Sequence, residues 1–258
     1  MDLRLDGKTA LITGGSRGIG RGIAQAFADS GARVMITSRK ADSCEEAAAA
    51  IGNDCRWFAS NVGYPDQAEA VVDHTLAEFG AIDILVNNAG ANPYAGPTIE
   101  IDVPRWEKTL QVNVTAPLVL TKLCWEKYMK EGPGGCSVIN ISSVGGLTTN
   151  IQLGAYDVAK AALIHLTKQL AAELGPKVRV NCIAPGLIKT DFARILWEGE
   201  RGKQVAESYP LGRLGEVEDI AGCATWLAAE TGSWITGQTI AMEGGGLVAF
   251  RTMPGDGE

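Results

Sequence analysis

The chain has 258 residues, 46% of them hydrophobic, and its 23 Lys and Arg against 30 Asp and Glu leave a formal charge of −7. That length and apolar content suffice for one sizeable core, and an acidic balance without any basic run argues against nucleic acid or an anionic membrane as partner. Six cysteines (44, 55, 124, 136, 182 and 223) without a Cys-x-x-Cys, and only His74 and His165 beside them, favour free thiols in a reducing cytoplasm and no metal site. No segment reaches the ~20 apolar residues needed to span a bilayer. The first apolar stretch, Thr9–Thr13, is too short for a signal peptide.

In chain order, a β-branched run at Thr9–Thr13 predicts a strand, followed by a helix over 18–30, a strand at Arg33–Thr37 and a helix over 42–51. A strand at Arg56–Ser60, a helix over 66–79, a strand at Ile82–Val86 and a long helix over 104–130 come next. Ser137–Ile141, a helix over 155–174, Val178–Ile183, a helix over 216–229 and Thr239–Met242 complete the series. The strand segments are continuous apolar runs rather than in–out alternations, as in a parallel sheet covered on both faces. The expected fold is therefore α/β: a doubly wound parallel sheet of about seven strands, of the Rossmann dinucleotide-binding kind, forming a single domain over residues 1–258. Gly244-Gly245-Gly246 and the polar stretch Pro254–Glu258 are expected to form a loosely held tail.

Thr13-Gly14-Gly15-Ser16-Arg17-Gly18-Ile19-Gly20 lies between the first strand and the first helix. Glycines 14, 18 and 20 permit a tight turn and close backbone approach, and the helix N-terminus adds open N–H groups and a positive dipole end. Gly14, Ser16, Arg17, Gly18, Ile19 and Gly20 are thus candidates to cradle a pyrophosphate. The second strand ends in Ser38-Arg39-Lys40, where an NAD-selective site places a carboxylate. Ser38 and Arg39, with Arg17, offer instead a hydroxyl and guanidinium groups that suit a 2′-phosphate, so NADP(H) is expected over NAD(H). The plainer alternative is that Arg17, Arg39 and Lys40 are solvated charges.

Tyr156 and Lys160 stand four residues apart, one helical turn, and Ser143 precedes the tyrosine by thirteen. A phenol ordinarily titrates near ~10, and a cation held close favours the phenolate, so the spacing predicts a tyrosine tuned downward for acid–base work. Taken alone, such a pair is more often a helix-surface neighbourhood, Ser143 could cap the turn at Gly145-Gly146, and Asn113 could steady a bent helix.

With these motifs in register the sequence resembles the short-chain dehydrogenase/reductase family over nearly its whole length. Thr13–Gly20 is similar to the family's glycine turn, Asn87-Asn88-Ala89-Gly90 to its Asn-Asn-Ala-Gly, and Pro185-Gly186-Leu187-Ile188-Lys189-Thr190 to the loop that holds the nicotinamide carboxamide. The resemblance implies that Tyr156 is the proton donor and acceptor, that Lys160 tunes it and binds the nicotinamide ribose, that Ser143 polarises the substrate oxygen, and that Asn113 holds a relay water. The interval of thirteen selects Ser143 over Ser142, which is left a supporting hydrogen bond. Asn88, Ala89 and Gly90 would line the adenine-ribose side, and Pro185, Gly186, Ile188 and Thr190 the nicotinamide side. Where the family commonly has Asp-Val after the third strand this chain has Asn61-Val62, whose amide oxygen can still accept from adenine.

The resemblance runs closest to 3-oxoacyl-acyl-carrier-protein reductases and to NADP-linked carbonyl reductases. A 3-oxoacyl-thioester is the leading substrate and a carbonyl compound, retinal or a cyclic ketone the alternative. An acyl carrier protein could dock on Lys127, Lys130 and Lys177. Residues 187–209, with Phe192, Ile195, Leu196 and Trp197, are expected to form a flap, and Tyr94, Leu147, Ile151 and Leu153 are further candidates for the pocket wall. The flap's apolar side chains could equally pack on the core or on a neighbouring subunit. A homotetramer is implied by the family, with Leu163, Leu166 and Leu170 either its seam or a core-facing stripe. A non-catalytic dinucleotide sensor is the reading from another class, and such a protein would be expected to lose the tyrosine or lysine.

Overall fold

Alternate residues of each short apolar run supply the two faces of one sheet. The strands are β1 (Thr9–Thr13), β2 (Arg33–Ser38), β3 (Arg56–Ala59), β4 (Ile84–Asn87), β5 (Cys136–Ile141), β6 (Val178–Pro185) and β7 (Thr239–Met242). The computed structural model describes residues 2–249, and Pro254–Glu258 lie outside them. All seven strands are parallel, in the order β3-β2-β1-β4-β5-β6-β7.

On one face Ala10, Ile12, Val34, Ile36, Ile84 and Val86 pack against α1 (Gly18–Asp29), α2 (Ala41–Ile51) and, later in the chain, the helix Val217–Ala228. On the other, Leu11, Met35, Leu85, Val138 and Val180 meet α3 (Pro65–Phe79) and the helices Ala116–Cys124 and Gly154–Leu174. This period of two, with both faces covered, explains why no strand shows an exposed apolar–polar alternation.

The expected helix over 104–130 is a helical run with two π-helical turns in it. α4 (Val103–Leu110) passes through a π-turn at Gln111–Thr115 into α5 (Ala116–Cys124), and a second π-turn covers Trp125–Met129. Pro117 lacks the N–H that would bond the carbonyl of Asn113, so regular α-geometry is broken there. The remaining helices are α6 (Gly154–Leu174), α7 (Arg194–Trp197), α8 (Glu200–Ser208) and α9 (Val217–Ala228).

Gly244–Gly246 is not a loose tail. The Gly244 carbonyl accepts from Leu211 N at 3.1 Å, and a Cβ on Gly245 would stand 2.7 Å from Pro210 Cγ. Leu163 and Leu170 are buried, and Leu170 belongs, with partly buried Leu166 packed against it, to the core cluster on the α6 face of the sheet, so within the chain the stripe faces the core. No helix among the described residues is long and apolar enough to cross a membrane. Because β1 is flanked by β2 on one side and β4 on the other, the chain reverses direction across the sheet there, and the crevice beyond the strands' carboxyl ends opens at that point. The four motif segments all leave the sheet at this edge.

Candidate active site

The glycine turn follows β1 and is braced from β4. The Thr13 hydroxyl accepts from the backbone N–H groups of Asn88 and Ala89, each at 3.0 Å. Asn88 Nδ2 donates back to the carbonyls of Thr13 (2.8 Å) and Gly14 (3.2 Å). Gly14 and Gly18 have φ of +65° and +53°, a region that disfavours side chains. A Cβ on Gly20 would stand 2.4 Å from the Gly14 carbonyl oxygen, so the helix can enter this close only as glycine. No side chain caps α1, so its first N–H groups are left without a side-chain acceptor.

The end of β2 lies beside this turn. Ser16 Oγ and Ser38 Oγ are 2.8 Å apart. Arg17, Arg39 and Lys40 are exposed, and among the described residues none is paired with a carboxylate. Uncapped helical N–H groups next to unneutralised guanidinium groups form a donor set suited to an anionic ligand. Asn61 sits at the end of β3 with its Oδ1 accepting from Gly63 N at 3.3 Å, which leaves further acceptor capacity. Val62 beside it is buried.

Across the crevice, Pro185 is buried at the end of β6 and Gly186 N donates to the Met242 carbonyl at 2.9 Å. Ile188 is buried and pairs with Gly215. Thr190 reaches back over the glycine turn: a Cβ on Gly18 would lie 3.3 Å from its methyl group. Its carbonyl accepts from the Trp197 indole at 2.9 Å, which anchors α7. Phe192 and Leu196 are exposed, as are Leu147 and Ile151 in the segment after β5. The side chain of Ile195 lies outside those described. The Tyr94 hydroxyl donates to the Pro97 carbonyl at 3.1 Å, and Arg105 stacks over its ring.

Ser143, Tyr156, Lys160 and Asn113 meet in the middle. The Ser143 hydroxyl bonds the Tyr156 phenol and also accepts from Gly145 N at 3.1 Å, so it caps its turn as well. Ser142 Oγ donates to the Lys160 carbonyl at 2.9 Å, the supporting role expected of it. Lys160 is buried, donates from Nζ to the Ile141 carbonyl at 2.8 Å and lies 5.4 Å from the Tyr156 ring centroid. Burial pulls its ammonium down to about 8. Asn113 occupies the π-turn, its Nδ2 donating to Thr109 O (2.8 Å) and Ala91 O (2.7 Å) and its Oδ1 accepting from Ala91 N (3.3 Å). A Cβ on Gly90 would stand 3.1 Å from Asn113 Oδ1 and 3.6 Å from Lys160 Nζ, so a glycine there keeps the space between amide and ammonium open.

One expectation is reversed. The phenol of Tyr156 is held above its ordinary value, by burial first and by the charge of Asp157 second, with the Ser143 hydrogen bond acting the other way. The ammonium lies over the ring and spends a hydrogen bond on Ile141 O, so proximity at i, i+4 is outweighed by desolvation. Asp157 and Thr13 are site residues to which the sequence reading gave no role. An acid directly after the tyrosine, and a threonine opening the glycine turn, were the available signals.

A family model described as enoyl-(acyl carrier protein) reductase matches residues 14–246. Dehydrogenase/reductase SDR family member 4 of Homo sapiens is 40% identical over 246 residues, covering 93% of this chain and 88% of the relative. The chain belongs to the short-chain dehydrogenase/reductase family. Among solved structures, a short-chain dehydrogenase/reductase from Mycobacterium ulcerans superposes with a TM-score of 0.90 at 33% identity, over 95% of this chain and 92% of that one. The Pseudomonas aeruginosa RhlG/NADP active-site complex gives 0.88 at 34% identity, over 95% and 98%. As a short-chain dehydrogenase/reductase the protein is an oxidoreductase that acts on alcohol and ketone groups.

Proposed function

We propose that this reductase transfers a hydride between NADP(H) and a ketone or secondary alcohol with an apolar body, within a single domain spanning residues 1–258. The observation that carries the reading is the meeting of Ser143, Tyr156 and Lys160 at the carboxyl edge of the sheet, beside the open glycine turn. Bound in that crevice, the reduced dinucleotide supplies the hydride. Tyr156 hands its proton to the carbonyl oxygen, and the Ser143 hydroxyl steadies the charge that develops there, a pairing worth ~10²–10⁴ in rate for the positioned acid. Lys160 binds the nicotinamide ribose, and the Asn113 amide, facing it, holds the water through which the proton is replaced. Asn61, Val62, Asn88, Ala89 and Gly90 take the adenine side; Pro185, Gly186, Ile188 and Thr190 take the nicotinamide. Arg17, Ser38 and Arg39 hold the 2′-phosphate, which favours NADP(H), and the neighbouring NADP complex is consistent with that choice.

The substrate's body is read from the rim. Residues 187–209 act as a flap that carries exposed Phe192 and Leu196, and Leu147 and Ile151, also exposed, add apolar surface after β5. The second reading is a 3-oxoacyl-thioester; the description of the matching family model names a carrier-bound acyl thioester but an enoyl rather than a 3-oxo one, so it supports the thioester part alone. Delivery on a carrier protein is disfavoured by the lysines themselves: Lys127 is paired with Glu69 (2.8 Å) and Asp73 (2.6 Å), and Lys177 donates to Gly132 O (2.9 Å). A second copy of the chain, as in a homotetramer, would cover exposed Val103, Leu118 and Val158 on α4, α5 and α6. The free cysteines, five of them buried, suit a cytoplasmic location.

The test is NADPH and NADH oxidation with diketones, cyclic ketones, retinal and acetoacetyl-CoA. Turnover of the apolar ketones with a higher kcat/KM for NADPH is expected. An NADH preference overturns the cofactor choice, turnover of acetoacetyl-CoA alone favours the second reading, and NADPH binding without any turnover revives a sensor.

A further inference from the structure

Asp157 follows Tyr156 in the first turn of α6 and is 5% exposed. Its two carboxylate oxygens meet opposite ends of the segment that leaves β5. Oδ2 accepts from Asn150 N at 2.9 Å. Oδ1 is buried without a hydrogen-bond partner and points at Gly145, where an added Cβ would stand 2.0 Å from it. Gly145 N in turn donates to Ser143 Oγ, the same hydroxyl that bonds the phenol. The carboxylate thus spans residues 145–150, a stretch that also carries exposed Leu147 and is followed by exposed Ile151. It also borders a cleft of about 400 Å³ lined by Pro97, Thr98, Thr148 and Val158.

We propose that Asp157 is a positioning residue of this reductase, whose carboxylate clamps the Ser143–Asn150 segment onto the catalytic helix and sets a negative charge against the Ser143–Tyr156 pair. The proposal rests on the reading of Tyr156 as the proton donor. A buried oxygen left unpaired carries a free-energy cost that a packing role alone does not require. The clamp accounts for the bonded oxygen, and the charge accounts for the other. Among the described residues no cation forms an ion pair with it. The segments packed on Asp157, 143–151 and Pro97-Thr98, contain no charged residue, and on its own helix the titratable neighbours are Tyr156 and Lys160, whose ammonium is directed to Ile141 O. The charge keeps Tyr156 protonated to higher pH, so the form that ketone reduction needs stays populated and the phenolate that would take the proton from an alcohol appears only in more alkaline solution. Burial also pushes the Asp157 carboxyl up to about 6, so the charge itself is lost in mildly acidic solution.

Two substitutions separate clamp from charge. Asp157→Asn keeps an acceptor for Asn150 N and removes the charge. Its alcohol-oxidation profile should rise at a pH lower by about 0.5–1 than wild type, with the KM for the alcohol within about twofold. Asp157→Ala removes both, and should show the same pH displacement together with a KM raised roughly tenfold, while NADPH affinity, read by its fluorescence, stays constant and reports an intact fold. A profile in Asp157→Asn unmoved from wild type, or an unchanged KM in Asp157→Ala, overturns the proposal. Tyr156→Phe is measured alongside. If it is inactive while Asp157→Asn is unshifted, the role of Asp157 alone fails; if it keeps its activity, the reading of the phenol fails and takes the proposal with it.

Discussion

Replacing Lys160 by methionine removes an ionisable group from a fully buried position while keeping an unbranched side chain of similar reach. The ammonium is held at about 8 against an ordinary 10.5. At about 1.4 kcal/mol for each tenfold change in proton affinity, that difference is worth about 3 kcal/mol. Below about pH 8 both folded and unfolded chains carry the proton, and the whole cost of burying the charge is present. Between about 8 and 10.5 the folded chain has released its proton and the unfolded chain has not, so the unfolded state binds more protons and stability rises with pH. The methionine variant lacks this contribution. Urea unfolding of both proteins at matched concentration should therefore show wild type gaining about 2 kcal/mol on Lys160→Met as the pH is raised from about 7.5 to about 10. The lost hydrogen bond to Ile141 O shifts the variant by an offset that does not depend on pH. Parallel stability curves over that range would refute the argument, because they would mean that the lysine is not desolvated in the folded chain.

Arg39→Ala should lower the ratio of kcat/KM for NADPH over NADH by about 10–100-fold, the worth of one charge-assisted phosphate contact; steady-state kinetics with both cofactors checks it, and an unchanged ratio removes Arg39 from the site. Gly22→Ala places a Cβ 2.0 Å from Val217 Cγ1 where α1 crosses α9. It should destabilise the fold by about 1–3 kcal/mol in thermal or urea unfolding, and wild-type stability would show that the two helices are not packed this closely. Sedimentation of the purified protein should give an oligomer, with Leu118→Glu shifting it to smaller species because the exposed leucine of α5 would then carry a charge into the contact. A monomer at micromolar wild-type concentration contradicts the proposed assembly.

The sheet was legible because apolar β-branched runs report both the strand and the fact that its two faces are covered. Thr9–Thr13 and Thr239–Met242 were bounded as observed, whereas the strand expected at Ile82–Val86 pairs as Ile84–Asn87. The break at Asn113 was hidden, since helical periodicity does not reveal that Pro117 withholds a donor from the turn before it. At the site, spacing brings Ser143, Tyr156 and Lys160 together, and the structure gives the two serines different partners, Ser142 the Lys160 carbonyl and Ser143 the phenol. It could not show which force sets the phenol. Spacing gives distance along a helix, while burial depends on what the rest of the chain packs around the pair. Asp157 escaped for the same reason. Its importance lies in contacts with Gly145 and Asn150 that become visible only when the segment after β5 folds back on α6. The leucine stripe of α6 is ambiguous between core and interface in sequence, and only the packing of the chain shows Leu163 and Leu170 buried within it.

The central claim is that the Tyr156 phenol delivers the proton to a carbonyl oxygen, and Tyr156→Phe tests it most directly. The ring, its burial and its stacking with Lys160 are kept, and only the hydroxyl is lost. With NADPH binding measured separately by fluorescence and a ketone turned over by wild type, kcat should fall by at least ~10²-fold at unchanged cofactor affinity. A variant that binds NADPH normally and reduces the ketone at near the wild-type rate would contradict the account.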